Sequence, residues 1–249
     1  MTKPLLARSK RINRWNNTRV YEIQNKEYPS VTSIIGMLDK PALINWAAKL
    51  SAEYAIEHAT ALALLPPADA VKVVKGSWRG ARDESADFGT YVHDLIEQDT
   101  MPPKDSKAWP YVQAAAQYMD DQGLTPIAQE RTVVNVKAGY AGTADLFSVQ
   151  ENRVIVSDWK TGNGLYESAA IQLVALANAD RYANENGDLL AVKELPDEGH
   201  AVRLHPNGYE LRTVDMDGEN AQLMYAAFVS LIDVWKMKVN DHYWDKEGN

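Results

Sequence analysis

Residues 125–162 read TPIAQERTVVNVKAGYAGTADLFSVQENRVIVSDWKTG. Apolar and polar residues alternate here with a period near two, and valine is frequent, so the stretch predicts strands. Three are expected, at about 127–136, 140–149 and 153–159. Glu151–Asn152 supplies a tight turn between the last two, which makes them an antiparallel hairpin. Asp145 ends the run YAGTAD and Asp158 ends the run RVIVSD. Each carboxylate follows an apolar run that belongs inside the sheet, and a carboxylate there needs a partner. Asp158 and Lys160 are two apart on a strand and so project from one face. Pairing across the turn brings Asp145 to the same end of the hairpin, so two carboxylates and a lysine converge.

Such a trio has a chemical use. Mg²⁺ or Mn²⁺ takes oxygen ligands, commonly one or two carboxylates with water completing the shell. The ion can activate a water and stabilise charge growing on a phosphate. A neighbouring lysine can orient or deprotonate that water, or bind the phosphate as a point charge. D-x-K on a strand is equally the pattern of an exposed ion pair, so the spacing alone leaves both open.

Working outward, residues 18–35 read as short strands: TRVYEIQ, a turn at NKEYPS, then VTSII. Pro41 opens a helix to about Ala59, with Ile44, Ala47, Ala48, Ala55 and Ile56 as its apolar face. Pro66–Pro67 break the chain before a helix to Lys75. Helices follow over Arg79–Gln98, with Phe88, Val92, Leu95 and Ile96 inward, and over Lys107–Gln122, ended by Gly123. After the meander a helix is expected over 167–185, then strands LLAVKEL and HAVRLH, a turn at Pro206–Asn207–Gly208 and the strand YELRTV. Residues 218–238 are amphipathic and helical. This order predicts an α/β protein with a mixed sheet flanked by helices. It reads as one domain over 1–249: N-terminal strands and a helical lobe over 1–83, the core over 84–215, and a helix and tail over 216–249.

Net charge is −8, although general polyanion binders tend to be basic. Local charge differs: Arg8, Lys10, Arg11 and Arg14 crowd the N-terminus, and Lys72, Lys75, Arg79 and Arg82 form a second cluster. Either could meet phosphates or simply be a solvated face. The chain contains no cysteine, which excludes disulfides, zinc–thiolate sites and an iron–sulfur cluster. No apolar leader or run of bilayer length is seen, so no membrane partner and a cytoplasmic location are expected, host cytoplasm if phage-encoded.

Four segments in order, FGTYVHDLIE at 88–97, YAGTADLF at 140–147, VIVSDWKTG at 154–162 and IQLVALANADRY at 171–182, resemble the PD-(D/E)XK nuclease superfamily. The likeness is to its RecB-like branch, which includes phage-type exonucleases and CRISPR-associated adaptation nucleases. It implies a restriction-endonuclease-like core. It also implies that Asp145, Asp158, the Trp159 carbonyl and His93 hold Mg²⁺ or Mn²⁺, that Lys160 handles the attacking water, and that Gln172 orders the site. Glu130 matches a position that is often acidic. Where many relatives have tyrosine four residues after the glutamine this chain has Leu176, and Tyr182 is the candidate substitute. The four cysteines that hold a cluster in some relatives are missing.

The resemblance thus implies a metal-dependent deoxyribonuclease for recombination, repair or processing, with exonuclease favoured over endonuclease. DNA is the expected partner, with Tyr28, Trp15 and Trp78 as candidates for stacking on bases. No G-x-x-x-x-G-K-[ST] loop provides an ATP site, so unwinding would need a helicase, or the nuclease would work with a single-strand-annealing protein. The alternatives are a non-catalytic nucleic-acid-binding or assembly protein of the same fold, and a hydrolase of another phosphate ester.

Overall fold

The computed structural model describes residues 8–11, 18–184 and 186–240. Its strands are β1 (Arg8–Arg11), β2 (Arg19–Ile23), β3 (Lys26–Pro29), β4 (Thr125–Asn135), β5 (Tyr140–Gln150), β6 (Arg153–Lys160), β7 (Arg181–Ala183), β8 (Leu189–Ala191), β9 (Glu198–His205) and β10 (Gly208–Asp215). Its helices are α1 (Val31–Ile35), α2 (Pro41–Glu57), α3 (Ala59–Leu62), α4 (Pro67–Gly76), α5 (Trp78–Glu97), α6 (Trp109–Asp121), α7 (Glu167–Ala177) and α8 (Glu219–Asn240). Among the described residues, no helix is long and apolar enough to cross a membrane.

The expected meander forms β4–β5–β6, with Glu151 in the turn at φ 56°. It is the centre of a seven-stranded sheet in the order β10-β9-β6-β5-β4-β7-β8. Among the described strands of this sheet, β6 and β9 pair in parallel and the other neighbours antiparallel. A parallel pair needs a crossover, and α7 with β7 and β8 supplies it. α1, α7 and α8 cover one face, where Ile34, Leu173, Leu176 and Phe228 are buried. α5 and α6 cover the other, over Val92, Tyr118, Leu146 and Ile155. This is the mixed α/β arrangement anticipated, consistent with a restriction-endonuclease-like core. The separate sheet β1-β2-β3 packs Tyr21, Ile23 and Tyr28 against Val134 and Ala141.

Several local expectations fail for identifiable reasons. VTSII is the helix α1, not a strand. The Ser30 side chain caps it by accepting from the Ser33 N–H at 3.0 Å, and Val31, Ile34 and Ile35 share its inward face. The preceding turn is Gln24–Asn25, both at positive φ, so Lys26–Pro29 is free to pair as β3. α2 buries none of its residues: Ile44 is 63% and Ile56 79% exposed. The helix expected to reach residue 185 stops at Ala177. There Asn135 Nδ2 donates to the Asn178 carbonyl at 2.7 Å, and the Asp180 side chain accepts from the Val136 N–H at 2.9 Å. The chain then joins β4 as β7, so Tyr182 lies on a strand.

Candidate active site

The site sits where the alternation of β5 slips. Tyr140, Gly142 and Ala144 face α7: the Tyr140 hydroxyl donates to the Ala175 carbonyl at 2.7 Å, and a Cβ at Gly142 would lie 2.6 Å from Leu176. Plain alternation would send Leu146 the same way. Leu146 instead joins the core under α5 and α6, while Phe147 packs on the α7 side. Asp145 is at the slip. Pairing runs Gln129↔Leu146 and Arg131↔Ala144, which places Glu130 opposite Asp145. Glu130 has φ 44°, a backbone conformation costly for a residue with a Cβ and often found at functional sites.

His93 arrives on α5 from the other layer. Gly89, one turn earlier, packs so closely that a Cβ there would lie 3.0 Å from Thr161 Oγ1, just past Lys160. That approach brings His93 Nδ1 to 3.6 Å from Asp145 Oδ2 and 4.0 Å from Glu130 Oε1. One ligand atom each from His93, Glu130 and Asp145 lie within 4.8 Å of one another. Asp145 Oδ2 also accepts the Trp159 backbone N–H at 2.7 Å, tying β5 to β6.

Asp158 is buried beside this group. Gln172 Nε2 donates to its Oδ1 at 2.6 Å, and the Lys160 ammonium lies against its Oδ2. Lys160 Nζ also donates to Gln172 Oε1 at 3.3 Å. Burial pushes the Asp158 carboxyl up to about 6, against the pull of Lys160. Burial opposes charge on Lys160, but Asp158 and Asp145 outweigh it and hold the ammonium above its ordinary range. Burial likewise lowers His93, but Asp145 and the other carboxylates raise it further, for a net upward shift.

The donor set fits a hard divalent cation: one imidazole nitrogen and two carboxylates, all half-buried, on three elements. Glu130, read from the sequence only as an additional acid, is among these three, while Asp158 is engaged by Lys160 and Gln172. Lys72 and Lys75 lie on α4, Arg79 and Arg82 on the exposed half of α5. Arg14 and Trp15 lie outside the described residues, as do the side chains of Arg8, Lys10 and Arg11 on β1. Tyr28 is buried in the small β-sheet cluster. Tyr182 lies under the Arg131 guanidinium at 5.6 Å and lines a cavity of about 370 Å³ with Phe147 and Leu176. Gly142 serves close approach of α7 within a strand.

One buried line behind β6 was not anticipated. The Tyr118 hydroxyl lies 2.9 Å from Ser157 Oγ and 2.6 Å from His200 Nδ1, on the side of the strand away from Asp158. Burial depresses the charge on His200, so a neutral ring completes the network. The signal was the lone serine in VIVSD, a polar residue in an apolar strand that must find a partner.

Fold and site together define a mixed α/β protein with a candidate metal centre at the end of a β-hairpin. Among solved structures, the chain is similar to that of SSO0001, at 16% identity and a TM-score of 0.30, over 51% of this chain. It spans 56% of the SSO0001 chain, a little over half its length. It is also similar to an alkaline exonuclease, LHK-Exo from Laribacter hongkongensis, at 11% identity and a TM-score of 0.37, covering 61% of this chain and 81% of that one. LHK-Exo in complex with dAMP matches with the same identity and TM-score, over 82% of its chain. No protein-family model and no curated protein sequence matches this chain.

Proposed function

We propose that this chain is a divalent-metal-dependent nuclease that hydrolyses phosphodiester bonds in DNA. The observation that carries the reading is the convergence of His93, Glu130 and Asp145 within 4.8 Å, beside the Asp158–Lys160–Gln172 set. A retired site would have no physical reason to hold a buried carboxylate against a lysine next to a strained glutamate. That counts against the non-catalytic alternative.

Mg²⁺ or Mn²⁺, held by His93, Glu130 and Asp145 beside Asp158, would supply Lewis acidity toward a water and the phosphate. The protein's own residues do the rest. Trp159 fixes the Asp145 carboxylate through its N–H, and Gln172 fixes Asp158 while accepting from Lys160. Lys160, one-third exposed, presents its ammonium at the mouth of the site, where it orients the attacking water or meets a phosphate oxygen. Attack in line expels the 3′- or 5′-oxygen as one P–O bond forms and one breaks, and the leaving oxygen takes a proton.

We favour exonuclease over endonuclease, in DNA recombination, repair or processing, on the likeness of the four sequence segments to phage-type exonucleases of the RecB-like branch. The test compares linear with closed-circular DNA in Mg²⁺, Mn²⁺ and EDTA. Degradation of linear DNA alone, abolished by EDTA, supports the reading. Cleavage of the circle makes the chain an endonuclease, and equal survival of every substrate sinks the nuclease reading.

A further inference from the structure

Helix α5 runs out of the site. Its C-terminal half is packed, with Val92, Leu95 and Ile96 buried, whereas residues 79–87 are all exposed. At about 100° per residue, Arg82 and Ala86 lie about 20° from the direction of His93, and Gly89 and Arg79 about 40°. That this face turns to the site is fixed by two contacts: His93 against Asp145, and Gly89 against Thr161. The acids of the same half point elsewhere, with Asp83 about 80° away, Asp87 about 120° and Glu84 on the opposite side. Beyond His93 the face therefore presents two small residues and then two arginines. Lys72 and Lys75, on α4, are not part of it.

We infer that this face of α5 is a track for the DNA strand leading away from the scissile phosphate, with Arg82 and Arg79 as its phosphate contacts. The inference rests on the nuclease reading. At 1.5 Å of rise per residue, Arg82 and Arg79 stand about 16 and 21 Å along the helix from His93. Gly89 and Ala86 leave room for a backbone to pass. The Arg82 guanidinium lies over the Trp78 ring at 5.0 Å on the exposed half of the helix. The guanidinium is bonded to Asp83, whose Oδ1 accepts from Nη2 at 2.7 Å and from Nε at 2.9 Å. An exposed pair of this kind is worth little and yields readily to a phosphate.

The test uses the full chain with Arg79→Gln and Arg82→Gln combined, and Glu84→Gln as a change of one charge on the opposite side. Two readouts are needed. One is the ratio of kcat/KM on a long linear duplex to that on the p-nitrophenyl ester of thymidine 5′-phosphate, which is too short to reach the arginines. The other is the salt dependence of duplex binding, followed by fluorescence anisotropy in EDTA. The double variant is expected to lower the ratio several-fold and to reduce the slope of log K against log salt by about 2. Glu84→Gln should change neither. An unchanged ratio and slope in the double variant, or an equal change with Glu84→Gln, overturns the track. A wild type inactive on both substrates whose binding slope still falls by about 2 sinks the nuclease reading and upholds the track as a DNA contact.

Discussion

Asp145 and Glu130 face each other across β4 and β5 at the one place where the inward alternation of β5 slips, and Glu130 is held there at φ 44°. The carboxylate that strengthens the candidate metal centre is thus set in a backbone conformation that disfavours it. Glu130→Ala removes the carboxylate and keeps the strain; Glu130→Gly removes both. Urea denaturation is expected to find the glycine variant more stable than the alanine variant by about 1 kcal/mol. Equal stabilities, or alanine the more stable, would show that the positive φ carries no strain.

The raised pKa values make a paired prediction for the metal-free and metal-bound protein. His93 and Asp158 both have folded values above their ordinary ones, so the folded chain binds these protons more tightly than the unfolded chain. Stability from Asp158 is fully present below about 4 and lost as pH rises through about 6; that from His93 is present below about 6.5 and lost as pH rises through its raised value. In EDTA, stability should therefore fall as pH rises from 4 through neutrality. Mn²⁺ binding, which needs neutral imidazole and ionised carboxylates, should strengthen over the same interval. Melting temperatures in EDTA and calorimetric Mn²⁺ titrations at matched pH check the two trends, and parallel trends would contradict the assignment.

Gly142 is expected to be intolerant for a packing reason. A Cβ there would come within 2.6 Å of Leu176 Cδ2 and 3.0 Å of Val31 Cγ2, both in a buried core. Gly142→Ala should cost about 1–3 kcal/mol by overpacking. Gly162→Ala, with nothing within 4 Å, should cost far less. Similar melting temperatures for the two variants would refute this account of Gly142.

The hairpin and its three charged residues were legible because strand alternation and a two-residue turn are local and strong signals. The class of fold followed from the order of elements. What was not legible depended on partners distant in sequence. α1 was read as a strand because Val31, Ile34 and Ile35 are β-branched, yet the Ser30 cap decided for helix. α2 was given an inward face because its apolar spacing fits one, but the fold leaves that face exposed. Glu130 could be suspected only as an acid on a strand; its place opposite Asp145 depends on the β4–β5 register, and no local pattern reports a positive φ at glutamate. The Tyr118–His200–Ser157 line joins residues 39 and 82 apart, beyond any window of sequence.

The most direct test is hydrolysis of end-labelled linear DNA in Mn²⁺ by wild type and Lys160→Ala, with folding of both checked by circular dichroism. Lys160 touches both Asp158 and Gln172. The account predicts degradation by wild type, none in EDTA, and a loss of at least about 100-fold in Lys160→Ala. Equal rates for the two folded proteins, or no cleavage by either, would contradict it.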